Sequence, residues 1–264
     1  MSGARRTDRA RRRPRRAALA AAAGLAAGTS LGLVAEVLWV ARRQLPVLDQ
    51  LDASGVVPGR RPDAPALRLV VLGDSTLTGP GLAHPDEIWL RQALGELGLD
   101  RPVEVVSLAV GGSRAADVLR RVDDAVAVGA DLAVVTVGAN DAIHGTPVVA
   151  FGRTLDAVLT RLLAELPVVA VSNLGDLGNI ARVPPPLHHA LRRRSRAICR
   201  RIEQVAARHD RAVVLDVTST DVHFRDRGVF GPDLFHPNPT GHTIWATAAV
   251  DGLRRAVELV DLGP

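Results

Sequence analysis

Leu67-Arg68-Leu69-Val70-Val71-Leu72-Gly73-Asp74-Ser75 is the stretch that decides how this chain is read. The run Leu67 to Leu72 is apolar except for Arg68. Such near-continuous apolarity suits a strand of a parallel sheet covered on both faces. Gly73 and Asp74 then end the run and leave Ser75 just past the strand's carboxyl end, the edge at which open α/β sheets bind ligands.

The same pattern recurs downstream. Val103 to Ala109, Leu132 to Val137, Pro167 to Ser172 and Ala212 to Val217 also read as strands. Between them Pro85 to Leu97, Ala115 to Val126, Val148 to Leu166 and Leu187 to His209 have the length and 3.6-residue spacing of crossover helices, and Thr240 to Leu259 closes the chain. Strand and helix in alternation predict a doubly wound α/β sandwich. Gly112 and Asn140, like Ser75, fall just past predicted strand ends, so three separated segments converge on one edge of the sheet.

Those segments carry groups suited to acyl transfer. A serine hydroxyl is a poor nucleophile without an adjacent base, and the base needs a third group to hold its tautomer. Asp233 and His236 lie three residues apart between Pro232 and Pro237. One turn can therefore present His236 toward Ser75 and Asp233 toward the other imidazole nitrogen. An oxyanion formed on attack needs preorganised donors, each worth about 3 to 4 kcal/mol. Ser75 and Gly112 offer backbone N–H groups and Asn140 its side-chain amide; a glycine lets the backbone approach substrate closely. His144, just beyond Asn140, and Phe235, inside the Asp233 to His236 segment, are expected to line the pocket. Asp74 and Asp141 are expected to fix backbone turns.

In order, Gly73-Asp74-Ser75, Gly111-Gly112, Gly138-Ala139-Asn140-Asp141 and Asp233-Leu234-Phe235-His236 resemble the four blocks of the SGNH hydrolases, also called GDSL esterases or lipases. The resemblance spans about residues 67 to 255. It implies a three-layer α/β/α fold, hydrolysis of ester or thioester bonds through an acyl-enzyme, and no metal or organic cofactor. The expected fold is thus a three-layer sandwich around a five-stranded, mainly parallel, flavodoxin-like sheet. The block at Gly111-Gly112 more often reads Ser-Gly, and Gly112 is the expected donor. Gly175-Asp176-Leu177-Gly178, the run Pro184-Pro185-Pro186 and the N-terminal segment are further similar to membrane-anchored actinobacterial esterases of this family.

Composition bounds the rest. The chain has 264 residues and a net charge of +5, but its first sixteen residues hold eight Arg and one Asp, which leaves the other 248 at −2. A folded part that close to neutral argues against nucleic-acid binding. Cys199 is the single cysteine, so an intrachain disulfide is impossible. Ala17 to Ala41 is interrupted only by Thr29, Ser30 and Glu36 among its polar residues. Twenty-five residues at about 1.5 Å each are long enough to cross a hydrocarbon core of about 30 Å. Residues 1–16 then read as a basic cytoplasmic arm, 17–41 as a transmembrane signal anchor, 42–66 as a Pro/Gly-rich linker and 67–264 as the hydrolase domain outside the cytoplasm. A cleaved signal with secretion, or an amphipathic helix, are the competing readings. The expected function is a serine esterase acting on lipid or cell-envelope esters. An O-acyltransferase or deacetylase acting on envelope polysaccharide is the first alternative, and a non-catalytic binding module on the same fold the second.

Overall fold

A computed structural model describes residues 46–263. Its strands are β1 (Gly55–Val57), β2 (Leu67–Gly73), β3 (Val103–Ser107), β4 (Leu132–Thr136), β5 (Val168–Ser172) and β6 (Ala212–Leu215). Hydrogen bonding orders them β1-β3-β2-β4-β5-β6, all parallel except β1, which runs antiparallel to β3. Apart from Arg68, every residue of β2, β4 and β5 is buried, as their composition requires. Without β1 the order is the 2-1-3-4-5 arrangement of flavodoxin-like sheets, whose switch point lies where the chain leaves one side of its first strand for the other. Here that point lies between β2 and β4.

The helices are α1 (Trp89–Leu97), α2 (Ala115–Arg120), α3 (Val122–Ala127), α4 (Ala139–Ile143), α5 (Val148–Glu165), α6 (Pro185–Ala206) and α7 (Pro239–Leu262). Alternate strand residues face opposite layers. Leu69, Val71, Leu132, Val134 and Ala170 pack with α1 and α7, whereas Val70, Leu72, Ala133, Val135 and Val171 pack with α2, α3, α5 and α6.

The structure departs from the expected five strands. The sixth, β1, comes from the stretch read as a linker. Three residues are too few to display a period, and what makes them a strand is the free edge of β3, against which Gly55 pairs with Val105 and Val57 with Val103. Preceding residues are fastened too. Ala53 is fully buried, Leu51 donates its N–H to Thr78 O at 2.7 Å, and the Arg91 side chain donates to Ala53 O at 3.2 Å and Val56 O at 3.3 Å. The helix expected at Ala115 to Val126 is divided at Arg121 into α2 and α3. The expected arm and membrane anchor, residues 1–41, lie outside the described residues, among which no helix is long and apolar enough to cross a membrane.

Arg91 is 9 % exposed and makes both carbonyl contacts to this edge segment. Arg91→Ala is expected to lower unfolding stability by about 2 kcal/mol, two buried charge-assisted bonds being lost. Denaturant unfolding checks this; an unchanged midpoint would show the two carbonyl contacts of Arg91 to be dispensable to the folded domain.

Candidate active site

Ser75 stands two residues beyond β2 in a turn fixed by its neighbour. Asp74 is 1 % exposed, and its Oδ1 accepts from the Thr76 backbone N–H at 3.0 Å and from the Thr76 hydroxyl at 2.9 Å. The Ser75 carbonyl accepts from Thr78 and Gly79 N–H, so the chain coils away and leaves the Ser75 side chain at the sheet edge.

The segment after β6 comes back to meet it. Phe230 and Pro237 form an isolated bridge, Gly231 donates its N–H to His236 O at 2.8 Å, and the loop between them is closed on itself. Asp233 organises this loop with both carboxylate oxygens. Oδ1 accepts from the N–H groups of Phe235 at 2.9 Å and His236 at 3.0 Å, while Oδ2 lies 2.6 Å from His236 Nδ1. The opposite ring nitrogen, Nε2, is 3.1 Å from Ser75 Oγ. Burial alone would raise the Asp233 pKa, but the bonds it accepts from His236 and the two backbone N–H groups prevail and hold it below the ordinary carboxylate value. Leu234 has φ +57, a left-handed conformation that costs an L-residue about 1 to 2 kcal/mol. That strain sits inside the loop which aims the imidazole.

The three donor candidates are joined by hydrogen bonds. Val110 donates its N–H to Gly73 O at 3.0 Å, which docks the glycine pair beside the end of β2. On the other side of Gly112, Ser113 O accepts from Asn140 Nδ2 at 3.2 Å, and the same amide lies 3.4 Å from Asp74 Oδ2. Gly112 has φ +80 with open space where a Cβ would stand. Asn140 opens α4 behind Gly138, whose φ is +123 and where a Cβ would come within 2.9 Å of Ile198 and Leu174. Only glycine allows that turn.

A GDSL-like lipase/acylhydrolase family model matches residues 71–244, from β2 into α7. The chain belongs to this family. A GDSL-like esterase of Mycobacterium tuberculosis, Rv1075c, is 32% identical over 126 residues, 46% of this chain and 40% of that protein. The matched stretch thus spans less than half of that relative's length. Among solved structures, TesA is 21% identical, with a TM-score of 0.59 over 72% of this chain and 99% of its own. LAE5, an α/β hydrolase enzyme from the metagenome of Lake Arreo, Spain, is 20% identical, with a TM-score of 0.60 over 73% of this chain and 97% of its own. Both likenesses concern the fold.

In this family member a cavity of about 100 Å³ opens beside Ser75, Asn140 and His236. Phe235 lines it, stacked edge-on against His236 at 4.8 Å and covered by the Arg182 guanidinium at 4.3 Å. His144 does not: it is exposed, and its Nδ1 turns back to Asn140 O at 2.8 Å, because the end of α4 carries it to the surface. Asp141, like Asp74, fixes backbone, accepting the Ala115 N–H at 2.9 Å and so tying α4 to the start of α2. The arginine-rich stretch of α6 is only partly a solvated face. Arg194 donates to Ala142 O at 2.8 Å and Thr146 O at 2.7 Å, and supports the far end of α4.

Gln50 is the contributor that reading the sequence misses. Its Oε1 accepts from the Thr78 hydroxyl at 3.0 Å and the Gly111 N–H at 3.2 Å, and a Cβ on Gly111 would come within 2.5 Å of the Gln50 amide. The first glycine of the pair therefore leaves room for Gln50. No motif marks a glutamine twenty-five positions before the serine.

Burial pushes Asp74 up to about 6 against the lowering effect of its Thr76 bonds. A carboxyl whose folded pKa exceeds its unfolded value weakens folding once ionised, so this contribution to stability is kept below about pH 4 and lost as pH rises through 6. Asp74→Asn removes the ionisation. Its stability relative to the parent is expected to increase by about 2 kcal/mol between pH 4 and pH 7. Urea melts at the two pH values check this, and a constant difference would show Asp74 to be ionised throughout.

Proposed function

We propose that this chain is a serine ester hydrolase that cleaves carboxylic esters through an acyl-enzyme on Ser75. The observation carrying this reading is the continuous row Ser75 Oγ, His236 Nε2, His236 Nδ1 and Asp233 Oδ2, with contacts of 3.1 and 2.6 Å. Family membership supports it.

In this mechanism His236 Nε2 takes the Ser75 proton as Oγ attacks the ester carbonyl. Asp233, kept ionised, holds the Nδ1–H tautomer and balances the imidazolium that forms. The tetrahedral oxyanion is met by the N–H groups of Ser75 and Gly112, neither of which bonds another backbone or side-chain group among the described residues, and by the Asn140 amide. At rest Asn140 directs its amide to Ser113 O and, at the longer distance, to Asp74. The long contact is the one exchanged for the oxyanion. Collapse expels the alkoxide, which leaves with the proton held on His236. Water attacks the acyl-Ser75 ester next, giving its proton to His236 and regenerating the serine with release of the acid.

Ser75→Ala and Asp233→Asn are each expected to reduce kcat/KM on a nitrophenyl ester by about 10⁴-fold or more, the second because an amide favours the wrong tautomer. Both variants keep the parent's thermal melt within a few degrees. Full turnover by the Ser75 variant would end this assignment.

The proposal includes location. Residues 17–41 anchor the chain in a membrane with the arginine-rich arm in the cytoplasm and the esterase outside, where lipid and envelope esters are within reach. Protease added to intact cells expressing the full chain is expected to remove the catalytic domain. Protection until the cells are lysed would place the domain inside.

A further inference from the structure

We infer that Gln50 is a positioning residue for ester hydrolysis, its side-chain oxygen holding the turn from Val110 to Ser113 in the form that points the Gly112 N–H at the reacting carbonyl. This deepens the esterase reading and rests on Ser75 as the nucleophile and Gly112 as an oxyanion donor.

The turn is closed by Ser113, which donates its N–H to Val110 O at 3.1 Å. Gly112, the third of its four residues, has φ +80, whereas Gly111 lies outside the left-handed region. These are the marks of a type II turn, whose central peptide is rotated by about half a turn relative to type I. That rotation matters here because the Gly112 N–H belongs to the central peptide. In the type I form the Gly111 carbonyl oxygen would stand where the donor is needed, and it would repel an oxyanion. A side chain on the third residue would settle the choice by disfavouring positive φ. With glycine at both central positions, either form is open to the backbone. An outside group has to fix it.

The ends of the turn are pinned by its neighbours. Val110 donates its N–H to Gly73 O at 3.0 Å, and Ser113 O accepts from Asn140 Nδ2 at 3.2 Å. Among the described residues the one hydrogen bond made by either central glycine is that of the Gly111 N–H to Gln50 Oε1, at 3.2 Å. A backbone N–H can only donate, so the amide must present its oxygen to Gly111. The same oxygen accepts from the Thr78 hydroxyl at 3.0 Å, and Thr78 is buried in the turn that carries Ser75. One carbonyl oxygen thus joins the turn of the nucleophile to the turn of the donor. The Gln50 amide also packs on Gly111, at the place where a Cβ would stand.

The backbone on both sides of Gln50 is fastened to the nucleophile's side of this join. Asp49 O accepts the Gly81 N–H at 3.1 Å, and Leu51 donates its N–H to Thr78 O at 2.7 Å. Leu48 lies against Gly81, where a Cβ would come within 2.9 Å of it. Gln50 itself is exposed and precedes residues 71–244, the span that the family model matches. The brace is therefore an addition to the four blocks and comes from the segment that leads into β1.

The test compares two variants of the full-length chain on nitrophenyl acetate. Gln50→Met keeps the length of the side chain and removes the acceptor, whereas Gln50→Glu keeps the acceptor. Gln50→Met is expected to lower kcat about tenfold, part of the roughly 10²- to 10³-fold lost when an oxyanion donor is removed outright. Its KM is expected to stay within about twofold, its pH profile to match the parent's and its thermal melt to stay within a few degrees. Gln50→Glu is expected to keep kcat within about fivefold, its charge being exposed to water. Thr78→Val is expected to lower kcat about threefold, and the double variant to be no slower than Gln50→Met, because both substitutions break one link. An unchanged kcat in Gln50→Met overturns the inference, as does a loss confined to KM or to the thermal melt, an equal loss in Gln50→Glu, or losses that multiply in the double variant. Thr78→Val against Thr78→Ser, which keeps the hydroxyl, decides the matter even where Gln50→Met does not fold. No turnover by the parent would overturn the nucleophile reading with it, whereas parent turnover that Gln50→Met leaves intact overturns the positioning role alone.

Discussion

The register of β2 against β4 is the constraint from which the site follows. Gly73 pairs with Thr136, and Thr136 with Ser172, so the strands end level with one another. Parallel hydrogen bonding fixes that level along the whole ladder, since a slip of one residue would turn every buried side chain of β4 to the wrong layer. With the ends level, Ser75 and Asn140 emerge at one height on either side of the switch point. Their segments can then be joined by hydrogen bonds shorter than the spacing of strands.

Asp74 and Asp141 make those joins, and neither is placed to react. Asp74 binds its own turn with one oxygen and faces Asn140 with the other, while Asp141 reaches across to the first N–H of α2. Burial makes ionised Asp74 costly, and the energy is spent where the serine and the amide must keep a fixed relation. Asp233 and His236 are held differently. They belong to a loop stabilised from within, its carboxylate serving two backbone N–H groups as well as the imidazole. Only the contact to Ser75 depends on where that loop is carried.

The cavity has a third origin. Beyond Ser75, Asn140 and His236 themselves, it is bounded by the chain leaving β5, by the short helical turns after β6 and by the first turns of α1 and α7. Arg192 on α6 steadies the first of these, and the Phe224, Phe230 and Trp245 cluster steadies the second.

The sequence by itself determined the five parallel strands, the main helices and which side chains, Ser75, Asn140, Asp233 and His236, would gather at one sheet edge. Buried strands must be apolar throughout, and the required side chains sit at short local spacings, three residues separating Asp233 from His236. Only the tertiary structure decided what depends on a distant partner. Gly55 to Val57 has no strand signature of its own and is a strand because β3 has an open edge. Gln50 has no motif, and its role exists because folding brings it against Thr78 and Gly111. His144 was near the site in sequence but is carried to the surface by the direction of α4. Local patterns record what a residue needs from its neighbours along the chain, whereas pairing across a sheet edge and orientation at a helix end are set by surfaces that meet only after the chain has folded.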